Sequence, residues 1–129
     1  IELKGSNTAK LSLEIVKQQI NNKGFAKKNI LFSSFNWEEL KNLRKLDGNI
    51  KIALITEDDP LLAIEPALTL KAVAINPSHK TLNKKVVEEI FSKGLKIYTW
   101  TVNNKNQIDK MKKLGVNGII TDYPERVLF

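Results

Sequence analysis

Short apolar runs alternate with stretches that are apolar on one side only, from one end of the chain to the other. Runs rich in Ile, Leu and Val predict strands at Ile1–Lys4, Asn29–Ser34, Ile50–Thr56, Ala72–Asn76, Leu95–Val102 and Val116–Thr121. Strands that are apolar throughout belong to parallel sheets whose faces are covered. The stretches between them predict helices of roughly ten to fourteen residues. Leu40, Leu43 and Leu46 form one apolar stripe, Val86, Val87 and Ile90 a second, and Ile108, Met111 and Leu114 a third. Lys, Glu and Asn occupy the opposite sides, as on helices lying over a sheet.

Helix boundaries are marked as well. Asn36 with Glu39, and Asn104 with Gln107, have the spacing of capping boxes. Asp59 followed by Pro60 fits an N-cap and first helical position. Gly24, Gly94 and Gly115 fall where a left-handed C-cap is expected. Strand starts recur about every 21 to 28 residues, the spacing of tight βα units in a barrel. The expected fold is therefore α/β, an incomplete TIM barrel with about six βα units. An open doubly wound sheet is the alternative, weakened by the lack of a Gly-rich loop after the first strand. No linker interrupts the pattern, so residues 1–129 read as a single domain. Six strands are too few to close a barrel of eight, and open parallel edges invite pairing with another chain. Self-association through those edges, or a missing part supplied from elsewhere, is the expectation.

Composition changes this picture little. There is no cysteine, which removes disulfides, thiolate nucleophiles and cysteine-based zinc sites together. No run is long and apolar enough for a membrane span, so a soluble body is expected. The chain begins at Ile1, inside a predicted strand. That leaves the compartment open, with the cytoplasm slightly favoured. The net charge of +7 raises the question of an anionic partner. The lysines are dispersed, with Lys17, Lys41, Lys84, Lys110 and Lys113 on predicted helices and Lys51, Lys71 and Lys96 before or opening strands. Nucleic-acid binders gather their cations and interleave aromatics. A solvated basic surface is the better reading, and no nucleic-acid partner is expected.

Barrel chemistry sits at the C-terminal ends of the strands. Glu2 and Lys4 are two apart on one strand, so both side chains leave the same face. They read as an internal ion pair, as a frayed terminus with both groups in water, or as a hard-cation ligand beside a phosphate-binding cation. In Tyr98-Thr99-Trp100-Thr101-Val102-Asn103, alternation puts Tyr98, Trp100 and Val102 on one side. Trp100 is then a core residue or an apolar wall at the barrel mouth. His79, the single histidine, reads as a solvated loop residue without a partner. Glu57, Asp58 and Asp59 read as helix-cap charges rather than a metal site.

Taken in order, these segments resemble the glycerophosphodiester phosphodiesterase family. Ile1-Glu2-Leu3-Lys4 is similar to its I-E-x-K strand, and Leu31-Phe32-Ser33-Ser34-Phe35 to its S-F strand end. Ile75-Asn76-Pro77, the run from Gly94-Leu95 to Asn103, and Gly115-Val116-Asn117-Gly118-Ile119-Ile120-Thr121-Asp122-Tyr123-Pro124 fit its later strands. The resemblance implies a phospholipase-like TIM barrel in lipid metabolism. It implies a divalent cation, calcium or magnesium, and hydrolysis of a small glycerophosphodiester to glycerol phosphate and an alcohol. Carried over by position, it makes Glu2 a metal carboxylate, Lys4 a phosphate contact, and Trp100 and Phe35 pocket residues; Asp122 is structural.

The family's H-R-G, E-x-D and H-D segments, which hold its acid/base histidines and remaining metal carboxylates, are absent from these residues. No catalytic residue is assigned, and His79 does not take the role. The resemblance thus implies an enzyme whose chemistry this stretch alone does not complete. The alternative is a non-catalytic, truncated or interaction chain with a basic surface.

Overall fold

Shorter strands than the apolar runs suggest connect the predicted helices. The computed structural model describes residues 1–127. Its helices are α1 (Ala9–Lys23), α2 (Trp37–Leu46), α3 (Ile64–Thr69), α4 (Lys84–Ser92) and α5 (Lys105–Leu114). Its strands are β1 (Leu31–Ser34), β2 (Lys51–Thr56), β3 (Ala74–Pro77), β4 (Lys96–Thr99) and β5 (Gly118–Ile119). All pair in parallel, in the order β1-β2-β3-β4-β5. Each crossover steps to the next strand in the same direction. Right-handed crossovers of that kind place every helix on one face of the sheet. A doubly wound sheet reverses its strand order at a switch point, and no reversal occurs here. The topology is singly wound, as in a βα barrel.

Ile1–Lys4 departs from expectation. It is not a regular strand: Glu2 forms an isolated parallel bridge with Ser33. Leu3 N–H donates to the Ser33 carbonyl and Ser33 N–H to that of Ile1, each at 2.8 Å. The six expected units are thus five strands and one bridging segment. Ser34 fastens that segment further, its hydroxyl donating to the Leu3 carbonyl at 2.6 Å. The run expected from Asn29 opens with a 3-10 turn at Lys27–Asn29, and Trp100 is reached only by an isolated bridge to Ser78.

Alternation decides what the helices cover. Phe32, Ile52, Leu54, Ile75 and Ile97 are buried beneath Leu40, Leu43, Ile90, Ile108 and Met111. Burying side chains of this size contributes about 1.5–3 kcal/mol each before chain entropy is set against it. Leu46 does not join its predicted stripe; it is exposed in the last turn of α2. Leu114 is half-buried against the core.

Asn36, Asp59 and Asn104 cap as the sequence indicates, accepting from the N–H groups of Glu38, Leu61 and Asn106. The capping-box partners differ. Gln107 returns no bond to the cap, and Glu39 turns away to another helix. Gly24, Gly94 and Gly115 have φ of 71°, 75° and 76°, the left-handed region in which a Cβ is strained. Among the described residues no helix is long and apolar enough to cross a membrane.

Candidate active site at the strand ends

The face of the sheet opposite the helices carries the predicted site residues. Strand register places them on it row by row. Glu2 is level with Ser33, which pairs with Ala53; Ala53 pairs with Ala74, and Ala74 with Lys96. Two residues further on, Ile55 pairs with Asn76 and Tyr98 with Gly118, while Lys4 and Phe35 lie just past the last paired residues of their segments. Above them, toward the C-terminal ends, Ser78 is bridged to Trp100. In-register parallel neighbours point to the same side of a sheet. Glu2, Lys4, Phe35 and Trp100 therefore share the helix-free face.

Glu2 and Lys4 are both exposed, while Leu3 between them is buried. No ion pair joins them among the described residues, so the salt-bridge reading of this pair does not hold. Phe35, just past β1, meets Trp100, just past β4. Their rings pack edge to face, with centroids 5.3 Å apart and planes at 82°. Such a pair contributes about 0.5–1.5 kcal/mol beyond its buried area. Half of Phe35 remains exposed, at 51%. Together the rings form an apolar wall at the strand ends.

The wall is held from β3. Trp100 Nε1 donates to the Asn76 carbonyl at 2.7 Å, and Trp100 N–H to that of Pro77 at 3.3 Å. His79 is not the solvated residue its loop position suggests. Its backbone N–H donates to the Trp100 carbonyl at 3.1 Å, and its Nδ1 lies 3.1 Å from the same oxygen. A protonated Nδ1 makes that second contact a hydrogen bond. The other ring nitrogen, Nε2, is buried without a partner. His79 fixes the backbone of the tryptophan rather than facing open solvent.

The loops after β4 and β5 are tied by one asparagine. Asn103 Nδ2 donates to Asp122 at 2.7 Å, while its Oδ1 accepts from the Thr121 hydroxyl and the Asp122 N–H, each at 3.0 Å. Asp122 is thus anchored by Asn103. The predicted alternation Tyr98, Trp100, Val102 breaks at its last member. β4 ends at Thr99, the chain turns, and Val102 enters the helix-side core. Within the strand, Tyr98 lies across Gly118, where a Cβ would come 2.7 Å from the ring. Glycine there admits the close approach.

The residues present do not make a metal site by themselves. Glu2 supplies at most two oxygens, against about six to eight for calcium. No group of three His, Asp or Glu side chains gathers among the described residues.

The sequence profile of the glycerophosphoryl diester phosphodiesterase family matches residues 3–126. The chain belongs to that family. A glycerophosphodiester phosphodiesterase of Bacillus altitudinis is 33% identical over 120 residues, covering 89% of this chain and 47% of that protein. The one from Caldanaerobacter subterraneus subsp. tengcongensis is 32% identical over 99 residues, covering 77% and 41%. A solved phosphodiesterase of Oleispira antarctica, in complex with the product sn-glycerol-3-phosphate, is 20% identical. It superposes with a TM-score of 0.84 over 98% of this chain and 51% of that one. The chain thus spans about half the length of the diesterases it matches. The structural likeness agrees with the singly wound topology: these strands and helices are laid out as in the barrels of glycerophosphodiester phosphodiesterases.

Proposed function

We propose that this chain carries one side of the active site of an enzyme that hydrolyses glycerophosphodiesters to glycerol phosphate and an alcohol. The Phe35–Trp100 wall carries the reading, because it stands at the strand ends on the same face as Glu2 and Lys4. An apolar wall beside a cation suits a ligand with a short carbon skeleton and a phosphate. In this reading Lys4 approaches the phosphate, Trp100 and Phe35 flank the glycerol carbons, and Glu2 is one ligand of a divalent cation, calcium or magnesium. The glycerol phosphate held by the Oleispira antarctica phosphodiesterase supports the substrate class.

The 129-residue chain is inactive alone in this reading. It offers one carboxylate for a hard cation and no acid/base pair. Loss of proton transfer alone forfeits about a hundred- to ten-thousand-fold in rate. Purified chain mixed with glycerophosphocholine and saturating calcium or magnesium is expected to show no turnover; robust turnover would refute the inactivity. A positive test joins this chain to the first half of the Bacillus altitudinis relative in one polypeptide. That chimera is expected to hydrolyse glycerophosphocholine with a divalent cation, and Glu2→Ala to lower its kcat by about a thousand-fold. A folded chimera equally active with and without Glu2 would remove Glu2 from the site.

We also propose that the open sheet is covered by self-association. The segment Ile1–Lys4 and β5 leave backbone groups on outer edges, which pair readily with other chains. Light scattering is expected to report dimers or larger species. A monodisperse monomer that persists on dilution contradicts this.

A further inference from the structure

Lysines far apart in the sequence meet at the N-terminal ends of the strands. Lys51 opens β2 and Lys96 opens β4. Each precedes a residue buried under the helices, Ile52 or Ile97, so both side chains leave the helix-free face. Only β3 lies between those strands, which sets their backbones about 10 Å apart. Lys28, on the turn before β1, joins them around a pocket of about 490 Å³. Ile30, Leu31 and Val73, all half-buried, give it an apolar floor, and Tyr98 lines it too.

Two features separate this pocket from a solvated basic surface. The first is the lack of counter-charge. No Asp or Glu lines it, and among the described residues Lys28, Lys51 and Lys96 take part in no ion pair. Other pockets lined by lysine hold carboxylates as well, Glu65 and Glu89 in one and Asp109 and Glu125 in another. Cations of one sign over a low-dielectric wall focus their field on the space between them. The second feature is that one ammonium is already placed. Lys51 Nζ donates to the Lys28 carbonyl, which leaves two of its hydrogens for another acceptor. All three lysines are exposed, so a solute can reach them.

The volume falls within the about 300–1,000 Å³ of small-molecule sites. A phosphate monoester brings about two negative charges and three acceptor oxygens, enough to engage several ammonium groups at once. The apolar floor offers burial to the ester's carbon body. We propose that this pocket is a second ligand site, taking a small organic phosphate with an apolar body, at the opposite end of the strands from Phe35 and Trp100. It does not depend on the phosphodiesterase reading, which places its ligand at the C-terminal ends.

The test titrates the ¹⁵N-labelled chain with phenyl phosphate and, separately, with inorganic phosphate, following backbone amide shifts. Phenyl phosphate is expected to move the amides of residues 28–31, Lys51, Val73 and Lys96 along one saturable curve, and to bind more tightly than inorganic phosphate. Lys96→Gln is expected to weaken it about tenfold, as the loss of one charge-assisted hydrogen bond does. Lys110→Gln, on exposed α5, is expected to change nothing. If Lys96→Gln does not fold, Lys28→Gln is read in its place with the same expected loss. No saturable binding, shifts spread evenly over the lysines, equal affinity for the two ligands, or equal weakening by Lys110→Gln overturns the proposal. Shifts confined to Lys4, Phe35 and Trp100 also overturn it, while leaving the phosphodiesterase reading standing.

Discussion

Replacing Glu39 by glutamine is expected to destabilise the fold by about 3 kcal/mol. The first N–H groups of a helix have no partner within it, and Thr8, at the N-cap of α1, makes no side-chain cap of its own. The carboxylate of Glu39, thirty residues away on α2, does the capping instead. It accepts from Asn7 N–H at 2.7 Å, Thr8 N–H at 3.0 Å and Ala9 N–H at 2.8 Å. Asn7 contributes by adopting φ of 59°, a left-handed conformation that asparagine tolerates. Glu39 is buried, so no water replaces it. Glutamine keeps the shape but presents an amide NH₂, a donor facing donors.

The same group makes stability depend on pH. Burial is the largest single influence on Glu39 and works to raise its pKa. The Ala9, Asn7 and Thr8 hydrogen bonds together outweigh it and hold the carboxyl below its usual value. A lowered folded-state pKa means the unfolded chain takes up the proton first on acidification. The stabilisation is then complete above the unfolded value, about 4.3, and is lost as pH falls through the lower folded one. Urea unfolding of the wild type from pH 7 to pH 3 is expected to show this loss. Glu39→Gln is expected to be weak at pH 7 and to lose less on acidification, because position 39 no longer titrates; some loss remains, since Asp47, also lowered, still does. Equal midpoints for the two proteins at pH 7 would refute the capping role.

Arg44→Met is expected to cost a similar amount, about 3 kcal/mol, or about 10 °C in thermal midpoint. The guanidinium bonds five backbone carbonyls: Leu70 at 2.9 Å, Asp47 at 3.3 Å, Gly48 at 2.7 Å, Ile50 at 2.8 Å and Lys71 at 3.0 Å. These oxygens come from the end of α2, the approach to β2 and the end of α3. Lys71 is held with φ of 51°, unusual for a residue with a long side chain. Burial pulls the guanidinium below its ordinary pKa and Asp47 works against that; it remains charged. Methionine matches the stem but leaves the carbonyls unpaired where water reaches only some of them. Arg44→Lys is expected to recover part of the loss, because one ammonium cannot reproduce a fork of five donors. Calorimetry of the three proteins checks the order wild type, lysine, methionine.

Neither of these residues announces itself in the sequence. Glu39 has the spacing of a capping box with Asn36, and half of that reading holds because Asn36 does cap α2. The glutamate's actual partners become neighbours only once α1 packs on α2. Arg44 looks like any cation on the polar side of a helix. The site was legible in a different measure. Period-two alternation put Glu2 and Lys4 on one face, the strand-end position marked Trp100, and the family resemblance added Phe35 as a candidate. Their edge-to-face contact and the hold of His79 on the Trp100 carbonyl depend on β1, β3 and β4 reaching their places in the sheet. The apolar runs overstated strand length at Ile1–Lys4 and at Val116–Thr121, because a run records burial, whereas a strand also needs a neighbour to pair with.

The sequence by itself determined the alternation of strand and helix, most of the caps, the left-handed glycines and the family. These depend on the local backbone preferences and periodicities of a few consecutive residues. Tertiary structure decided the singly wound order, the aromatic contact of Phe35 with Trp100 on the helix-free face, and the long-range roles of Glu39 and Arg44. Those depend on which segments meet. Hydrogen bonds between residues some thirty positions apart leave no periodic trace in the chain that forms them.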